Sequence, residues 1–460
     1  MATNASLPLN QSPDQSATQP APIDTRRRAP HVLIVGGGYV GLYTALRLQR
    51  RLRAGEATVT VVDPRSAMTY QPFLPEAAAG AISPRHVLIP LRRTLPKTNV
   101  ITGSITSVDH AARTAIVAPL VGDPYPISYD HIVLALGSVS RTLPIPGLAE
   151  LGVGCKSVED AIGLRNQVIN CLDIAQSTAD PDVRRRALTF VVVGGGYAGV
   201  EVLAELEDMA RFATRYYPSI APTDLRWVLV EATGRILPEV GAEMGNYTVQ
   251  QLRSRGIEVR LETRLESCVD GFVMLSDGTE FTTETLVWTA GVKPHPVLGA
   301  TDLPLTEHGA LSCAADLQVV DDAGHPIGAA WGAGDSAAVP DLTAPGTFCS
   351  PSAQHAVRQA TVLGDNLVAA LRGEPLRVYR HKYAGSVASL GLHQGVAQIY
   401  GVKLKGFPAW FMHRTYHLSR VPTLNRKARV VAEWTLALVF RRETVSLTGP
   451  RAIPVAREHA

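Results

Sequence analysis

The sequence predicts an α/β protein built from two Rossmann-like dinucleotide-binding units, the second inserted in the first, followed by a membrane-associating C-terminal segment. Three observations predict it. Residues 31–63 run from an apolar strand through a glycine turn and a helical stretch to a second strand that ends in an acid. Residues 190–231 repeat that order. From about residue 386, aromatic and basic residues cluster and acids become scarce.

In the first stretch, Val32 to Val35 read as a short buried strand. Gly36, Gly38 and Gly41 follow, then a helical run Leu42 to Leu52, a strand Thr58 to Val62, and Asp63. This is the G-x-G-x-x-G fingerprint in its full context. Gly36 permits the tight turn, Gly38 lets the backbone approach a pyrophosphate, and Gly41 lets helix and strand pack closely. The helix N-terminus offers unpaired N–H groups to phosphate. Asp63 is placed to accept from a ribose hydroxyl.

Residues 1–30 are rich in Ser, Gln, Pro and Ala and read as a disordered tail. Arg26–Arg28 do not read as an export signal, because the apolar run behind them is the first strand. Residues 68–80 are too proline-rich for a regular element and too apolar for an idle loop, so they are expected to line a pocket or pack on the surface. Residues 100–120 alternate like a small meander. Residues 131–138 read as a buried strand ending at Gly137, where the chain can pass close under a cofactor. Residues 151–187 read mainly as helix, starting near Ser157 with Glu159 and Asp160 in its first turn.

The second fingerprint has glycines at Gly194, Gly196 and Gly199, and its next strand, Leu225 to Val230, ends at Glu231. Two complete fingerprints imply two dinucleotides, most economically a flavin and a nicotinamide. A helix over 243–255 and short strands follow, and residues 288–292 mirror the end of the strand at 131–138. The expected division is therefore a first nucleotide domain of residues 31–150 and 306–385, with residues 151–305 inserted as the second. Gly332, Gly334 and Asp335 mark a glycine turn with an acid suited to a polyol hydroxyl; the plainer reading is a turn Asp. Residues 350–370 read as a helix, with Gln354, Arg358 and Gln359 near its start.

Residues 386–460 form the last segment. Between Lys403 and Arg442 the only acid is Glu433. Pro422 separates two stretches of helical length. Phe407, Trp410, Phe411 and Leu418 roughly share a face of the first, which Arg414 interrupts; Val430, Val431, Trp434 and Leu438 share one of the second. Apolar-aromatic faces with basic flanks suit a membrane interface. A dimer contact or ordinary core helices are the alternatives.

Composition narrows the class. The net charge of +3 is too small to imply a nucleic-acid partner. Five scattered cysteines, Cys155, Cys171, Cys268, Cys313 and Cys349, show no C-x-x-C and no metal-ligand spacing, which indicates reduced thiols in a cytoplasmic compartment. No apolar run reaches the roughly 18 residues of a membrane span.

These residues together carry a resemblance. The paired fingerprints, Asp335, residues 70–74 (YQPFL), 199–202 (GVEV), 288–292 (WTAGV), 353–356 (AQHA) and the basic-aromatic C-terminus resemble type II NADH:quinone oxidoreductases. The resemblance spans about residues 30–445. It implies FAD in the first fingerprint, with Asp63 on its ribose and Asp335 on its ribityl chain, and NADH in the second, with Glu231. It implies that Glu201 lies beside the nicotinamide and quinone sites and supplies protons. It places Gln354 at the quinone tunnel near the flavin, and Lys382 close to the flavin. The acceptor would be a membrane quinone, menaquinone or ubiquinone, reached from the cytoplasmic face of the cell membrane; a homodimer is left open. One departure stands out: Arg358 occupies the place of the family's second glutamine, and an arginine cannot accept a hydrogen bond. The rival readings are a soluble NAD(P)H reductase of ferredoxin-reductase type, a sulfide:quinone-type flavoprotein, which needs a redox cysteine pair, and a nucleotide sensor.

Overall fold

The computed structural model describes residues 28–381, 385–391, 393–440 and 442–447. The tail expected over residues 1–30 lies almost wholly outside the described residues, as does Lys382.

The apolar strand His31–Val35 is buried at every position. It lies between two parallel neighbours, with Ile34 opposite Val61 of Thr58–Asp63 and Val133 of His131–Leu134. A strand buried on both faces reads as a continuous apolar run, and this one does. The sheet has eight strands. On one side it continues through Asn99–Asp109, Thr114–Pro119 and Tyr125–Ser128. The last two pair antiparallel, which is the expected meander. On the other side it adds Pro326–Gly332, parallel to His131–Leu134, and Gln318–Val320.

Between His131–Leu134 and Pro326–Gly332 the chain builds a second, five-stranded sheet. Its order is Gly152–Val153, Thr285–Trp288, Thr189–Val193, Arg226–Val230, Glu258–Arg260, and every pairing is parallel. Phe190 and Trp227 stack on adjacent strands of this sheet with ring centroids 4.4 Å apart. The helix expected over 151–187 is broken. Val158–Ser177 starts with a capping box between Ser157 and Asp160, and Pro181–Ala187 starts afresh with Asp180 as its cap. Pro181 has no N–H to give the preceding turn, so it opens a helix instead of continuing one.

Residues 68–80 are regular after all. A 3-10 turn, Gln71–Phe73, leads into a short helix, Leu74–Ala78, buried throughout. Each proline sits at a helix start, where its missing N–H costs nothing. The helix Tyr39–Arg51 packs against Ala353–Arg372, and Arg47 grips Asp365 with two hydrogen bonds of 2.8 Å.

Residues 385–405 differ from the expectation of a membrane-associating segment from residue 386. They form a three-stranded antiparallel sheet, Gly385–Ser389, Gly395–Ile399 and Val402–Lys405. Lys403 and Lys405 are not free cations; both pair with Glu243. Two helices follow, Phe407–Arg420 and Leu424–Val439. Each supposed single face is divided. Trp410, Val430 and Trp434 turn inward with His413 and Arg414, while Phe407, Phe411, Val431 and Leu438 are exposed. Among the described residues no helix is long and apolar enough to cross a membrane.

Candidate functional site

The two glycine turns have the same internal geometry. Gly36 and Gly194 have φ of 101° and 115°, and their N–H groups donate to Val62 and Val230 at 2.8 Å. A Cβ at Gly41 would stand 1.8 Å from the Gly36 carbonyl oxygen, and one at Gly199 would stand 1.9 Å from that of Gly194. Gly38 and Gly196 behave differently: a Cβ at either meets nothing within 4 Å. Internal packing therefore demands the first and third glycines. The middle one faces open space at a helix N-terminus, where an added methyl would obstruct an approaching phosphate.

The acids repeat too. Asp63 accepts from the N–H of Gly37 at 2.7 Å and of Arg65 at 2.8 Å. Glu231 accepts from Gly195 at 2.6 Å and Thr233 at 2.7 Å. A carboxylate offers about four acceptor positions, so two remain for a ribose diol after the turn is satisfied.

A cleft of about 520 Å³ opens beside the first turn, within the range of ligand pockets. Gly36, Gly38 and Asp63 line one part, and Gly137 and Asp335 another. Gly137, at φ 68°, carries the chain beneath the cleft. Asp335 accepts from the Ser138 hydroxyl at 2.8 Å, and the Lys156 ammonium donates to the same Ser138 oxygen at 3.0 Å. Burial lowers the Lys156 pKa, and Asp335 opposes that shift. The turn that carries Asp335 is held from below, where Gly334 N–H donates to the buried Gln359 amide at 2.7 Å. Gln359 thus supports the first cleft and does not replace Arg358. Lys156 and Ser138 were not singled out in the sequence, and Gln359 stood out only as the neighbour of Arg358; the position of Lys156 beside the Ser157 cap hinted at order there.

A narrower cleft, of about 70 Å³, shares Tyr39 and Ala353 with the first. Its other walls include Tyr70, Tyr416, His417, Gln354 and Arg358. Gln354 is held at both ends of its amide, with one donor and one acceptor position left: its Nε2 donates to the Gly385 carbonyl at 3.1 Å, and its Oε1 accepts from Arg358 at 3.0 Å. Glu201, from the helix Tyr197–Ala213, is buried; it accepts from Ser389 N–H at 2.9 Å and pairs with His413 at 3.0 Å. Gln354 and Glu201 share no direct contact; the C-terminal sheet links them, through Gly385 and Ser389 of one strand. All five cysteines are free, and burial raises the Cys155 thiol to about 12 and the Cys349 thiol to about 11. Among the described residues no cluster could hold a metal ion.

Two sheets, each with a parallel core, a glycine turn and a strand-end acid, define an α/β protein that takes two dinucleotides. The chain belongs to the pyridine nucleotide-disulphide oxidoreductase family, whose model matches residues 30–360. It is 29% identical over 464 residues to the type II NADH:quinone oxidoreductase Ndh of Mycobacterium tuberculosis, covering 97% of this chain and 95% of the relative. With the type II NADH:quinone oxidoreductase of Staphylococcus epidermidis it shares 28% identity, covering 83% of this chain and 93% of that one. Its fold matches NDH2 of Plasmodium falciparum in complex with NADH, with a TM-score of 0.83, 17% identity, and 91% and 100% of the two chains covered. These flavoproteins use FAD, and the first cleft fits it: an open Gly38, an acid with spare acceptor positions, and a second acid on a braced turn.

Proposed function

We propose that this chain is a non-proton-pumping NADH:quinone oxidoreductase that passes a hydride from NADH to FAD and two electrons on to a membrane quinone. The observation that carries this reading is the aromatic cleft that shares Tyr39 and Ala353 with the FAD cleft. Its walls set four tyrosines and His417 beside the polar Gln354, Arg358 and Arg420, a mix that suits a flat apolar ring bearing carbonyl oxygens. When bound, FAD supplies the two-electron chemistry that couples donor to acceptor.

The protein's part is placement. The first turn and Asp63 hold the adenylate end of FAD; Asp335, with Ser138 and Lys156, holds its polyol chain. The second turn and Glu231 hold NADH. Gln354, fixed from both sides, presents a rigid wall to the acceptor, and Arg358 adds N–H donors toward a quinone oxygen. The helices Phe407–Arg420 and Leu424–Val439 dock on the cytoplasmic membrane surface through the apolar side chains they leave exposed, among them Phe411 and Leu438. Those exposed residues favour the membrane enzyme over a soluble reductase. The free, unpaired Cys155 and Cys349, with raised thiol pKa values, give no support to sulfide chemistry.

Anaerobic reduction of the flavin by NADH, followed by mixing with menaquinone or ubiquinone analogues, tests the reading. Rapid reoxidation by a quinone is the expected result. Reoxidation only by a protein carrier such as a ferredoxin would establish the soluble-reductase alternative instead.

A further inference from the structure

The buried titratable groups behind the aromatic cleft form a line. Glu201 Oε1 lies 3.0 Å from Nε2 of His413. His413 and His417 stand one turn apart on Phe407–Arg420, with ring centroids 4.5 Å apart and planes at 65°. His417 lines the cleft and meets Tyr70 and Phe73 edge-on. His413 is buried; its Nε2 meets Glu201 as an ion-pair contact, and neither ring nitrogen makes a hydrogen bond. A buried imidazole nitrogen left unpaired costs free energy and calls for an explanation.

We propose that His413 and His417 form a proton relay from Glu201 to the acceptor in the aromatic cleft, a role that rests on the quinone reading above. The balance is one proton from water per turnover: NADH, quinone and H⁺ give NAD⁺ and quinol. The electron pair and one hydrogen originate in the hydride of NADH. His417 relays the remaining proton: one ring nitrogen accepts from His413 as the other gives its proton to a quinone oxygen. Glu201 passes the replacement proton to His413. His417 touches the acceptor; His413 acts through it and is a positioning and relay residue.

The charge environment supports this order. Burial lowers the His413 pKa, but Glu201, Glu76 and Glu205 outweigh it and leave the group raised. His417 is driven well below its ordinary value, first by burial and then by His413. The surroundings thus favour the charged form at His413 and the neutral form at His417. The ionisable groups around the pair include Glu201 and Glu205 from Tyr197–Ala213, with Arg442 paired to Glu205, Glu76 from Leu74–Ala78, Arg414 and Tyr416 on the same helix, Tyr70, and Cys155 near Glu201.

The test uses full-length holoenzyme with His413→Gln and, separately, His417→Gln. FAD content is read first. Reduction by NADH is then followed by stopped flow, and the reduced flavin is mixed with a short-chain quinone or with ferricyanide, which takes electrons but no proton. Loss of a general acid costs about a hundredfold or more. Quinone reoxidation is expected to slow by at least about tenfold in each variant, with a changed solvent isotope effect, while ferricyanide reoxidation and reduction by NADH stay near wild type. Equal losses with both acceptors, or no loss with quinone, would overturn the relay. If His413→Gln does not retain FAD, His417→Gln decides alone. A wild-type enzyme that reduces ferricyanide but no quinone removes the parent reading, and the relay with it; a wild-type enzyme fast with quinone beside an unimpaired variant removes only the relay.

Discussion

Arg414 Nη2 meets Glu76 Oε2 at 3.0 Å, joining the C-terminal helices to a short helix more than three hundred residues earlier in the chain. Both side chains are buried. The guanidinium is also sandwiched between Trp410 and Trp434, 4.3 and 4.8 Å from their ring centroids, and Trp434 Nε1 donates to the same carboxylate at 3.1 Å. Removing one member of a buried pair strands the other charge, which costs roughly 3–5 kcal/mol. Arg414→Ala should therefore lower thermal stability sharply. Combining it with Glu76→Gln should recover most of the loss, a coupling that a double-mutant cycle measures directly. Additive losses would show that the pair contributes no coupling.

Membrane docking should depend on the outward residues alone. Replacing Phe407, Phe411, Leu438 and Val439, all more than half exposed, with serine leaves the buried pairs intact. Each apolar side chain that leaves water contributes about 1.5–3 kcal/mol, and salt does not screen it. Flotation with anionic liposomes should show wild type bound at low and high salt and the fourfold variant released at both. If the variant floats with the wild type, another surface makes the contact.

The same helices show where sequence reading stopped. Basic and aromatic residues alternate closely there, and pattern alone cannot say which are outside. Arg414 interrupts an apolar face, and it does so because its partners Glu76 and Trp434 lie far away in sequence. The segment is not a detachable anchor: truncation before Gly401 would strand Glu201, Glu76 and Glu205, which take His413, Arg414 and Arg442 respectively as partners. The glycine turns were legible because their constraints are local. Gly36 must turn and Gly41 must clear the Gly36 carbonyl, and both needs lie within six residues. The strand-end acids were legible for the same reason. Lys156 and Gln359 were not, since their roles exist only once Ser138 and Gly334 arrive beside them.

Donor choice should follow Glu231. Its carboxylate braces the second turn through Gly195 and Thr233, and its spare acceptor positions suit a ribose 2′-hydroxyl. A 2′-phosphate at that place meets like charge. The expected kcat/KM ratio favours NADH over NADPH by at least about tenfold, equivalent to about 1.4 kcal/mol. Glu231→Gln should narrow that ratio mainly by improving NADPH. Equal values in the wild type would mean that Glu231 serves only the turn.

Gln354 should matter to the acceptor and not to the donor. Its amide is clamped between the Gly385 carbonyl and Arg358, on the wall of the aromatic cleft. Gln354→Ala removes the clamp and frees the Arg358 side chain, so the wall loses its shape where a quinone would rest. One hydrogen bond to the reacting acceptor is worth about a factor of ten in rate. Stopped-flow reduction of the flavin by NADH should stay within about twofold of wild type, while reoxidation by quinone slows by about tenfold. Arg358→Gln separates charge from shape. It keeps a polar side chain one turn from Gln354 but removes the fixed cation, which has five N–H donors and no acceptor. Its effect should fall on the quinone KM and on the ranking of quinones, with NADH kinetics unmoved. If either substitution slows reduction by NADH as much as it slows turnover, Gln354 and Arg358 belong to the nucleotide site, and the narrow cleft is not where the acceptor binds.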